Sequence, residues 1–293
     1  MPSATLPLSG LRILSLALNL PGPAALMRCR ALGATCTKLE PPAGDPMAVY
    51  EPKAYAQLHA GVEVLSANLK SGDGQALLHD LLGHTDVLVT SFRPSALRKL
   101  GLDQASLAVR HPALSVVAIV GAPGGAGEAP GHDLTYQAEQ DLVPGLALPA
   151  SLFADMGGAL MAAEAVLQAA LLKSRASPAP GRGQWFEVAL SEAAQFLGLP
   201  RRWGLTQPTG AVGGAHAGYR IYPCRDGRVA VAALEPHFAA ALCQAAGVGE
   251  SDFKAMTSAQ THEAVAAFFA GQTRTQLEQL ATERDIPLHT LPA

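Results

Sequence analysis

Short apolar runs, separated by glycine and proline, recur through the first 120 residues of the chain. The runs at residues 11–16 and 35–39 predict strands, and residues 24–32 between them predict a helix that Gly33 closes. A strand, a helix and a second strand in this order are typical of a parallel, doubly wound sheet. We therefore expect a β-α-β unit at the start of the chain.

The same alternation continues to about residue 205. The predicted elements are helices at 74–82 and 95–100, strands at 86–90 and 113–120, a long apolar helix at 156–173, a loop at 174–183, a strand at 184–190 and a helix from 192. This order predicts an α/β fold, with a large Rossmann-like domain and a parallel sheet over residues 1–205.

The remaining residues follow a different pattern. Residues 206–218 are rich in glycine and small side chains and predict a linker. Asp226 and Gly227 separate two further apolar runs, a strong signal for a β-hairpin. Predicted helices follow at 236–246, 262–270 and 275–284. We predict a smaller α+β domain over residues 219–293.

Composition narrows the classes of protein. The chain has 293 residues, 49% of them hydrophobic, and a net charge of −3, so a sizeable core is expected and nucleic-acid binding is not. Its four cysteines form no C-x-x-C pair, which favours free thiols in a reducing cytoplasm over a zinc site. No uninterrupted apolar run reaches about 18 residues, so we predict no membrane span. No basic residue precedes the apolar run near the start of the chain, so we predict no signal peptide.

The turn after the first predicted strand carries no phosphate-binding fingerprint. Residues 20–23 offer one glycine between two prolines, where a dinucleotide site requires G-x-G-x-x-G. We therefore predict that the chain binds neither NAD nor FAD.

Ionisable residues stand out at the two ends of one loop-rich, mostly apolar segment, residues 131–158. His132 and Asp133 are near its start, and Asp155 lies before two glycines and the long apolar helix. An Asp directly before a helix is a favoured N-cap residue. That role and a catalytic role are compatible, because a helix N-terminus stabilises anions in general.

Seven stretches, in this order, carry a resemblance to a known family. They are PLSGLRILSL, GATCTKLEPPAGDP, DVLVTSFRPSALRKLGL, GHDLTYQA, ADMGGALMAAEAVLQAALL, GRGQWFEVALSE and GYRIYPCRDGRVAVAALEPHF. Together they resemble the family III CoA-transferases of the CaiB–BaiF type. That group includes formyl-CoA and carnitine-CoA transferases and α-methylacyl-CoA racemase, and the details look most like the racemase branch.

The resemblance implies a set of acid–base residues. The Gly-His-Asp-x-x-Tyr motif places His132 and Asp133, the Asp before a glycine pair is Asp155, and the Glu-Pro-x-Phe motif begins at Glu235. In the racemase branch His132 would pair with Glu235, and Asp155 with Asp133. A base on one face of an α-carbon and an acid on the other would then exchange its proton. The main-chain N–H groups at the start of the predicted helix, near Met156, would stabilise the enolate oxygen.

The resemblance also implies coenzyme A as part of the substrate, with no prosthetic group and no metal. The residues matching family positions near the CoA are Lys38, Leu69, Lys70, Arg93 and Gly131. Arg93 is the best-supported candidate among them, because it follows the carboxyl end of a predicted parallel strand, where open α/β sheets bind ligands. The family's basic stretch before Leu69 and its Gly-x-Gly-Gln-Thr-Gly-Pro loop are both replaced here, and the chain ends before the family's C-terminal return segment.

Three functions remain open from the sequence. The first is an α-methylacyl-CoA racemase-like isomerase that acts on an acyl-CoA by two-base 1,1-proton transfer. The second is a CoA-transferase in which Asp155 is the nucleophile and forms an aspartyl-CoA intermediate. The third is a non-catalytic CoA-binding paralogue. The resemblance further implies an interlocked homodimer in which Glu235 comes from the partner chain.

Overall fold

The computed structural model describes residues 6–175 and 181–293 of the chain. The chain divides into two compact units, Met1–Gly198 and Leu199–Ala293. This division comes before the linker that the sequence predicts over residues 206–218. The loop predicted over residues 174–183 lies partly outside the described residues.

The first unit contains a six-stranded sheet in which every neighbouring pair of strands is parallel. Its strands are β1 Arg12–Ser15, β2 Thr35–Glu40, β3 Glu63–Ser66, β4 Val87–Thr90, β5 Ser115–Val120 and β6 Trp185–Ala189. They lie in the order β3-β2-β1-β4-β5-β6, which is the Rossmann order. The predicted α/β class with a parallel Rossmann-like sheet is confirmed.

Helices cover both faces of this sheet. They are α1 Pro21–Ala31, α2 Met47–Tyr50, α3 Pro52–Leu58, α4 Gly72–Gly83, α5 Pro94–Leu100, α6 Gln104–Arg110, α7 Asp133–Glu139, α8 Phe153–Arg175 and α9 Leu190–Leu197. Ile13 and Leu14 are consecutive on β1 but belong to two different core clusters. Strands buried on both faces read as continuous apolar runs, which is why the sequence predicted them well.

Two helices begin earlier than predicted. Helix α1 starts at Pro21 and takes in the Pro-Gly-Pro segment that we interpreted as a turn. Proline fits the first turn of a helix, because its missing N–H has no partner there in any case. Helix α8 starts at Phe153, before the predicted start at residue 156, so Asp155 lies inside its first turn.

Helix α8 is long and apolar. By length and composition it meets the criteria for a membrane-crossing helix, with a mean hydropathy of 1.3 over its most apolar window. Core helices of globular proteins pass the same test. Helix α8 packs against α1 and α9, and it contributes Ala162, Val166 and Ala169 to a buried cluster. Its contacts are therefore those of a core helix.

The sequence missed the edge strand β3 and the short helices α2, α3, α6 and α7, the last of them within the segment that we described as loop-rich. Strand β3 has an exposed or half-buried residue at each position, so it lacks the apolar pattern of a central strand. Helix α6 begins where the carboxylate of Asp103 accepts the N–H of Ser106, and it has only seven residues, which is too short for a helical period to stand out. Edge and surface elements are specified by their neighbours more than by periodicity.

The second unit is a smaller α+β unit with a three-stranded antiparallel sheet. Its elements are α10 Leu199–Arg202, β7 Tyr219–Cys224, β8 Gly227–Ala232, α11 Pro236–Ala246, α12 Phe253–Met256, α13 Ala259–Ala270, α14 Arg274–Arg284 and β9 Leu288–Leu291. The hairpin is present, but Cys224 pairs with Gly227, so Arg225 and Asp226 form its turn. The sequence did not predict β9.

Candidate functional site

The start of helix α7 holds the first two candidate residues. The main-chain N–H of His132 donates to Oγ1 of Thr135 at 3.1 Å, and that hydroxyl donates to the carbonyl of His132 at 2.7 Å. Thr135 therefore fixes the backbone at this helix start. The imidazole of His132 lies exposed there, while Asp133 is only 5% exposed.

Asp133 links the starts of helices α7 and α8. Its Oδ1 accepts the main-chain N–H of Asp155 at 3.0 Å, and its Oδ2 accepts a short hydrogen bond from Nε2 of Gln137. N–H groups in the first turn of a helix have no partner within the helix and favour an anion. Asp133 supplies that anion from a neighbouring helix.

Asp155 is half-buried and has an altered proton affinity. Burial raises its pKa, and the nearby charge of Asp133 raises it further, while His132 opposes the rise; the resulting pKa is about 6. An ordinary Asp has a pKa near 3.8. The structure therefore brings His132, Asp133 and Asp155 into one electrostatic cluster. Near pH 6, Asp155 is populated in both its protonated and its ionised form.

Two sequence interpretations at this helix start are wrong. Asp155 is not the N-cap residue, because α8 already begins at Phe153. The N–H of Asp155 is bound to Asp133, and the N–H of Met156 donates to the carbonyl of Leu152 at 2.9 Å. Neither N–H is thus free to hold an enolate oxygen, as the predicted helix start had implied. The earlier start leaves the N–H groups of Phe153 and Ala154 as the helix-end donors.

Gly131 has a steric role beside Tyr136. A Cβ atom at Gly131 or at Gly121 would lie 2.3 Å from the hydroxyl oxygen of Tyr136, so both positions must be glycine for this ring to lie there. Burial raises the pKa of Tyr136, the charges of Glu139 and Asp155 raise it further, and Arg93 opposes them. The phenol of Tyr136 is therefore close to the candidate acid.

Arg93 lies at the carboxyl end of β4. It immediately precedes helix α5, and its side chain is exposed. Strands β1 and β4 are neighbours at the point where the strand order reverses. Open α/β sheets bind ligands in the crevice at that point. The charge of Arg93 also acts to lower the pKa of Tyr136, the residue whose phenol senses the charge of Asp155.

Whereas a lysine that binds a phosphate from solvent would be exposed, Lys38 is buried. Its side chain is 0% exposed, and its Nζ contacts Asp45 Oδ2 at 2.5 Å, Glu40 Oε1 at 3.0 Å and His59 Nε2 at 2.9 Å. An ammonium has three N–H donors and no acceptor. Since three protein acceptors surround it, a contact between Lys38 and CoA would require this cluster to open.

The Lys38 cluster, consisting of Lys38, Glu40, Asp45 and His59, also fixes the turn after β1. Because Lys38 can only donate, Nε2 of His59 accepts its hydrogen bond. The Nδ1–H of His59 donates to the carbonyl of Tyr55 at 2.7 Å. Asp45 accepts the N–H of Asn19 at 3.0 Å, and Asn19 has the left-handed φ of 64°. Among the described residues, Glu40, Asp45 and His59 have the spacing of metal ligands. The ammonium of Lys38 contacts all three of them.

Leu69 and Lys70 follow the edge strand β3. The carbonyl of Leu69 accepts Nε2 of Gln75 at 2.6 Å, and its side chain packs partly against the core. The backbone N–H of Lys70 donates to Oδ1 of Asn68 at 3.1 Å, and its side chain is exposed. The ammonium of Lys70 is therefore accessible from solvent, in contrast to that of Lys38.

Glu235 belongs to the second unit, where it directly precedes helix α11. Its side chain is exposed and makes no capping hydrogen bond to this helix. In this structure Glu235 is therefore a solvated side chain and not a helix cap. Its pairing with His132 stays a prediction.

Sequence reasoning missed two residues near the cluster. Gln137 contacts Asp133. The sequence signal for this contact was the spacing of four residues, which places both side chains on one face of a helix. Tyr50 is the second: burial raises its pKa, and Asp45 and Asp155 raise it further. Tyr50 lies on the short helix α2, and an exposed aromatic residue there gave no signal for a site.

Comparisons with known proteins agree with this architecture. The chain matches CoA-transferase family III over residues 8–291. It is 30% identical over 212 residues to a cinnamoyl-CoA:phenyllactate CoA-transferase from Clostridium sporogenes, covering 65% of this chain and 51% of that protein. It is 29% identical to the α-methylacyl-CoA racemase of Mus musculus, covering 76% of this chain and 63% of the racemase. The chain thus spans about half to two thirds of these relatives' length.

Solved structures show the same fold. A hypothetical protein from Mycobacterium tuberculosis superposes with a TM-score of 0.83 at 23% identity, covering 97% of this chain and 84% of that one. A CaiB/BaiF family protein from Brucella suis gives a TM-score of 0.80 at 22% identity, with 99% and 85% covered. The family match extends over nearly all of both units. The chain therefore belongs to CoA-transferase family III, the CaiB/BaiF family.

Proposed function

We propose that this chain is an α-methylacyl-CoA racemase-like isomerase that exchanges the α-proton of a 2-methylacyl-CoA. The observation that carries the proposal is the carboxyl of Asp155, whose pKa lies at about 6 beside Asp133 and His132. A catalytic acid or base is most effective when its pKa lies close to the working pH. A carboxylate with a purely structural role does not require a raised pKa.

The proposed chemistry needs two groups that exchange one proton. One group removes the α-proton from one face of the thioester, and the other returns a proton to the opposite face. Asp155 and His132 take these two roles, and they exchange them when the substrate has the other configuration. Imidazole and a carboxyl of raised pKa are both suited to such a double role. Asp133 holds the Asp155 end in place through the main-chain N–H.

The CoA part of the substrate requires positive charge from a chain of net charge −3. Arg93 and Lys70 are exposed, and Arg93 lies at the crevice of the sheet. We propose that these two side chains contact its phosphates and that Leu69 lies near the adenine. The buried Lys38 supports this region indirectly, by fixing the turn at Asn19.

We further propose that two copies form an interlocked homodimer in which Glu235 of one copy approaches His132 of the other. Exposed apolar side chains on α8 and α9, among them Leu160, Leu171 and Phe196, support a protein partner. Light scattering tests this arrangement. A monomer at micromolar concentration would contradict it.

A CoA-transferase is the second candidate, because several relatives of this chain are named CoA-transferases. They include a succinate–glutarate CoA-transferase from Agrobacterium fabrum, 28% identical over 85% of this chain. On this route the carboxylate of Asp155 attacks the thioester, forming a mixed anhydride and releasing the CoA thiolate. The thiolate then attacks the aspartyl carbonyl, forming an aspartyl-CoA thioester and releasing the donor carboxylate. A partly desolvated carboxylate is suited to nucleophilic attack as well as to proton transfer.

The deciding experiment is α-proton exchange of a 2-methylacyl-CoA in deuterated water, followed by NMR. Wild type is compared with His132→Ala and Asp155→Asn, with no carboxylic acid added as acceptor. Exchange that both substitutions reduce by about 10²–10⁴-fold supports the two-base isomerase.

The other outcomes are distinct. CoA transfer to an added carboxylic acid, with a hydroxylamine-sensitive adduct on Asp155, would establish the transferase instead. Binding of acetyl-CoA in a calorimeter without either reaction would leave a non-catalytic CoA-binding paralogue.

A further inference from the structure

Gln137 has a buried side-chain amide that contacts Asp133, one of the candidate acids. It lies four residues after Asp133 on helix α7 and is 1% exposed. Its Nε2 donates to Oδ2 of Asp133 and to the carbonyl of Ser151, the latter at 3.2 Å. Both partners are acceptors, so the amide can have only this orientation, with its NH₂ group toward them.

The other half of the same amide has no partner. Oε1 of Gln137 is buried, and no hydrogen bond to it occurs in the described part of the chain. A buried unpaired carbonyl costs free energy, and an apolar side chain of similar length would avoid that cost. Stability alone therefore does not account for a glutamine at this position, whereas its NH₂ group acts directly on Asp133.

We propose that Gln137 is a positioning residue that keeps Asp133 ionised and directed at the main-chain N–H of Asp155. This inference rests on the proposed acid–base role of Asp155. A hydrogen bond donated to a carboxylate stabilises its ionised form. The negative Asp133 in turn keeps the proton of the pair on Asp155, where the proposed reaction needs it.

The consequence of removing the amide follows from the coupling of the two acids. Without the donor, ionised Asp133 is less stable and takes up part of the proton that Asp155 holds in wild type. If the two neighbouring carboxyls share one proton, as we propose, its release should move to higher pH while less of it resides on Asp155. The other groups that act on Asp155 or sense its charge are His132, Tyr136 and Tyr50, with Arg93 acting on Tyr136.

The test compares Gln137→Met with Gln137→Glu, and with Gln140→Met as a control at the residue that directly follows helix α7. The first readout needs no substrate: carboxyl ¹³C shifts of labelled aspartate are followed from pH 4 to pH 8, with Asp155→Asn assigning the signals. In Gln137→Met we expect the midpoint of the pair to rise by at least about half a pH unit, with Gln140→Met unchanged.

The second readout is the α-proton exchange rate as a function of pH. In Gln137→Met we expect kcat to fall by about tenfold or more with little change in KM, and the acidic limb of the profile to move to higher pH. Gln137→Glu should recover activity only at low pH, where a protonated Glu can again donate to Asp133.

The two failures are distinguishable. If wild type shows no exchange but the carboxyl midpoint moves in Gln137→Met, the proposed function fails and the role of Gln137 stands. An unchanged midpoint in a folded Gln137→Met, or an equal change in Gln140→Met, would overturn the role of Gln137 whatever the activity.

Discussion

The main-chain N–H of Asp155 donates to the carboxylate of Asp133 at 3.0 Å, so the helix that carries one acid begins on the other. The contact joins the start of α8 to the start of α7, on which His132 also lies. Geometry and charge are therefore coupled at this point. A change in the protonation of Asp133 acts on both the position and the proton affinity of Asp155.

Asp155→Asn is expected to remove activity and to stabilise the fold at neutral pH. The pKa of Asp155 is raised from 3.8 to about 6 in the folded chain, so its ionisation opposes folding. The stabilisation that Asp155 contributes when protonated is complete below pH 3.8 and is lost as pH rises through about 6. Urea unfolding at pH 5 and pH 8 measures the part of this loss that falls between these two pH values, which we expect to be about 1.4 kcal/mol.

The substitution should abolish this share of the pH dependence, so that Asp155→Asn is more stable than wild type at pH 8. The two proteins should be closer in stability at pH 5. Equal stability at both pH values would show that Asp155 ionises normally and is not desolvated.

Lys38→Met should destabilise the first unit strongly. The substitution leaves the buried carboxylates of Asp45 and Glu40 without their cation, and breaking a buried ion pair from one side costs about 3–5 kcal/mol. The deficit should shrink at acid pH, where the carboxylates can take up protons. Lys70→Met is the matched control, since the side chain of Lys70 is exposed and should contribute little to unfolding.

The same two variants separate support of the fold from contact with the ligand. Calorimetry with CoA should show weaker binding for Lys70→Met without loss of stability. A Lys38→Met variant as stable as wild type would mean that the Lys38 cluster does not hold the turn at Asn19.

Gly121→Ala and Gly131→Ala probe the space occupied by Tyr136. At Gly121 the added Cβ clashes only with the hydroxyl oxygen, because the ring carbon Cζ is 3.3 Å away. At Gly131 it clashes with the hydroxyl and with two ring carbons, at 2.7 and 2.8 Å. Each variant should lose about 1–3 kcal/mol of stability. Adding Tyr136→Phe should rescue Gly121→Ala but not Gly131→Ala.

Thermal unfolding of the two single and two double variants measures this difference. Rescue of both glycine variants, or of neither, would show that the ring of Tyr136 does not lie as described.

Arg93→Ala should weaken CoA binding by about tenfold, because it removes a charge-assisted contact to a phosphate. The difference from wild type should decrease as salt is added. Arg98→Ala is the control, since Arg98 lies on helix α5, which Arg93 directly precedes, and pairs with Glu128 at 3.6 Å. An equal loss in both variants would indicate a general effect of charge and not a site at Arg93.

Central elements of the fold could be predicted from the sequence, because buried parallel strands leave apolar runs of characteristic length. Strands β4 and β5 are examples, and helix α11 was predicted with its observed bounds, Pro236–Ala246. Strands β3 and β9 lie at sheet edges and carry mixed side chains, so periodicity did not reveal them.

At the candidate site, the motif around His132 and the Asp before two glycines identified the groups that the structure brings together. Sequence could not reveal that Lys38 is buried, since a lysine after a strand looks the same whether its ammonium meets water or three acceptors. Gln137 was missed for a similar reason. The role of an amide depends on what its two ends contact, and that is a property of packing between helices.

The far end of α8 is held by an ion pair at the amino-terminal end of strand β4. Asp86, just before β4, accepts Nζ of Lys173 at 2.5 Å and the main-chain N–H of Arg12 at 2.8 Å. Eighteen residues of helix separate Lys173 from Asp155, a rigid rod of about 27 Å. A tilt of about 2° at one end of a helix of that length moves the other end by about 1 Å, which is enough to misalign a proton transfer. The position of the Asp155 carboxyl thus depends partly on an ion pair at the other end of its helix.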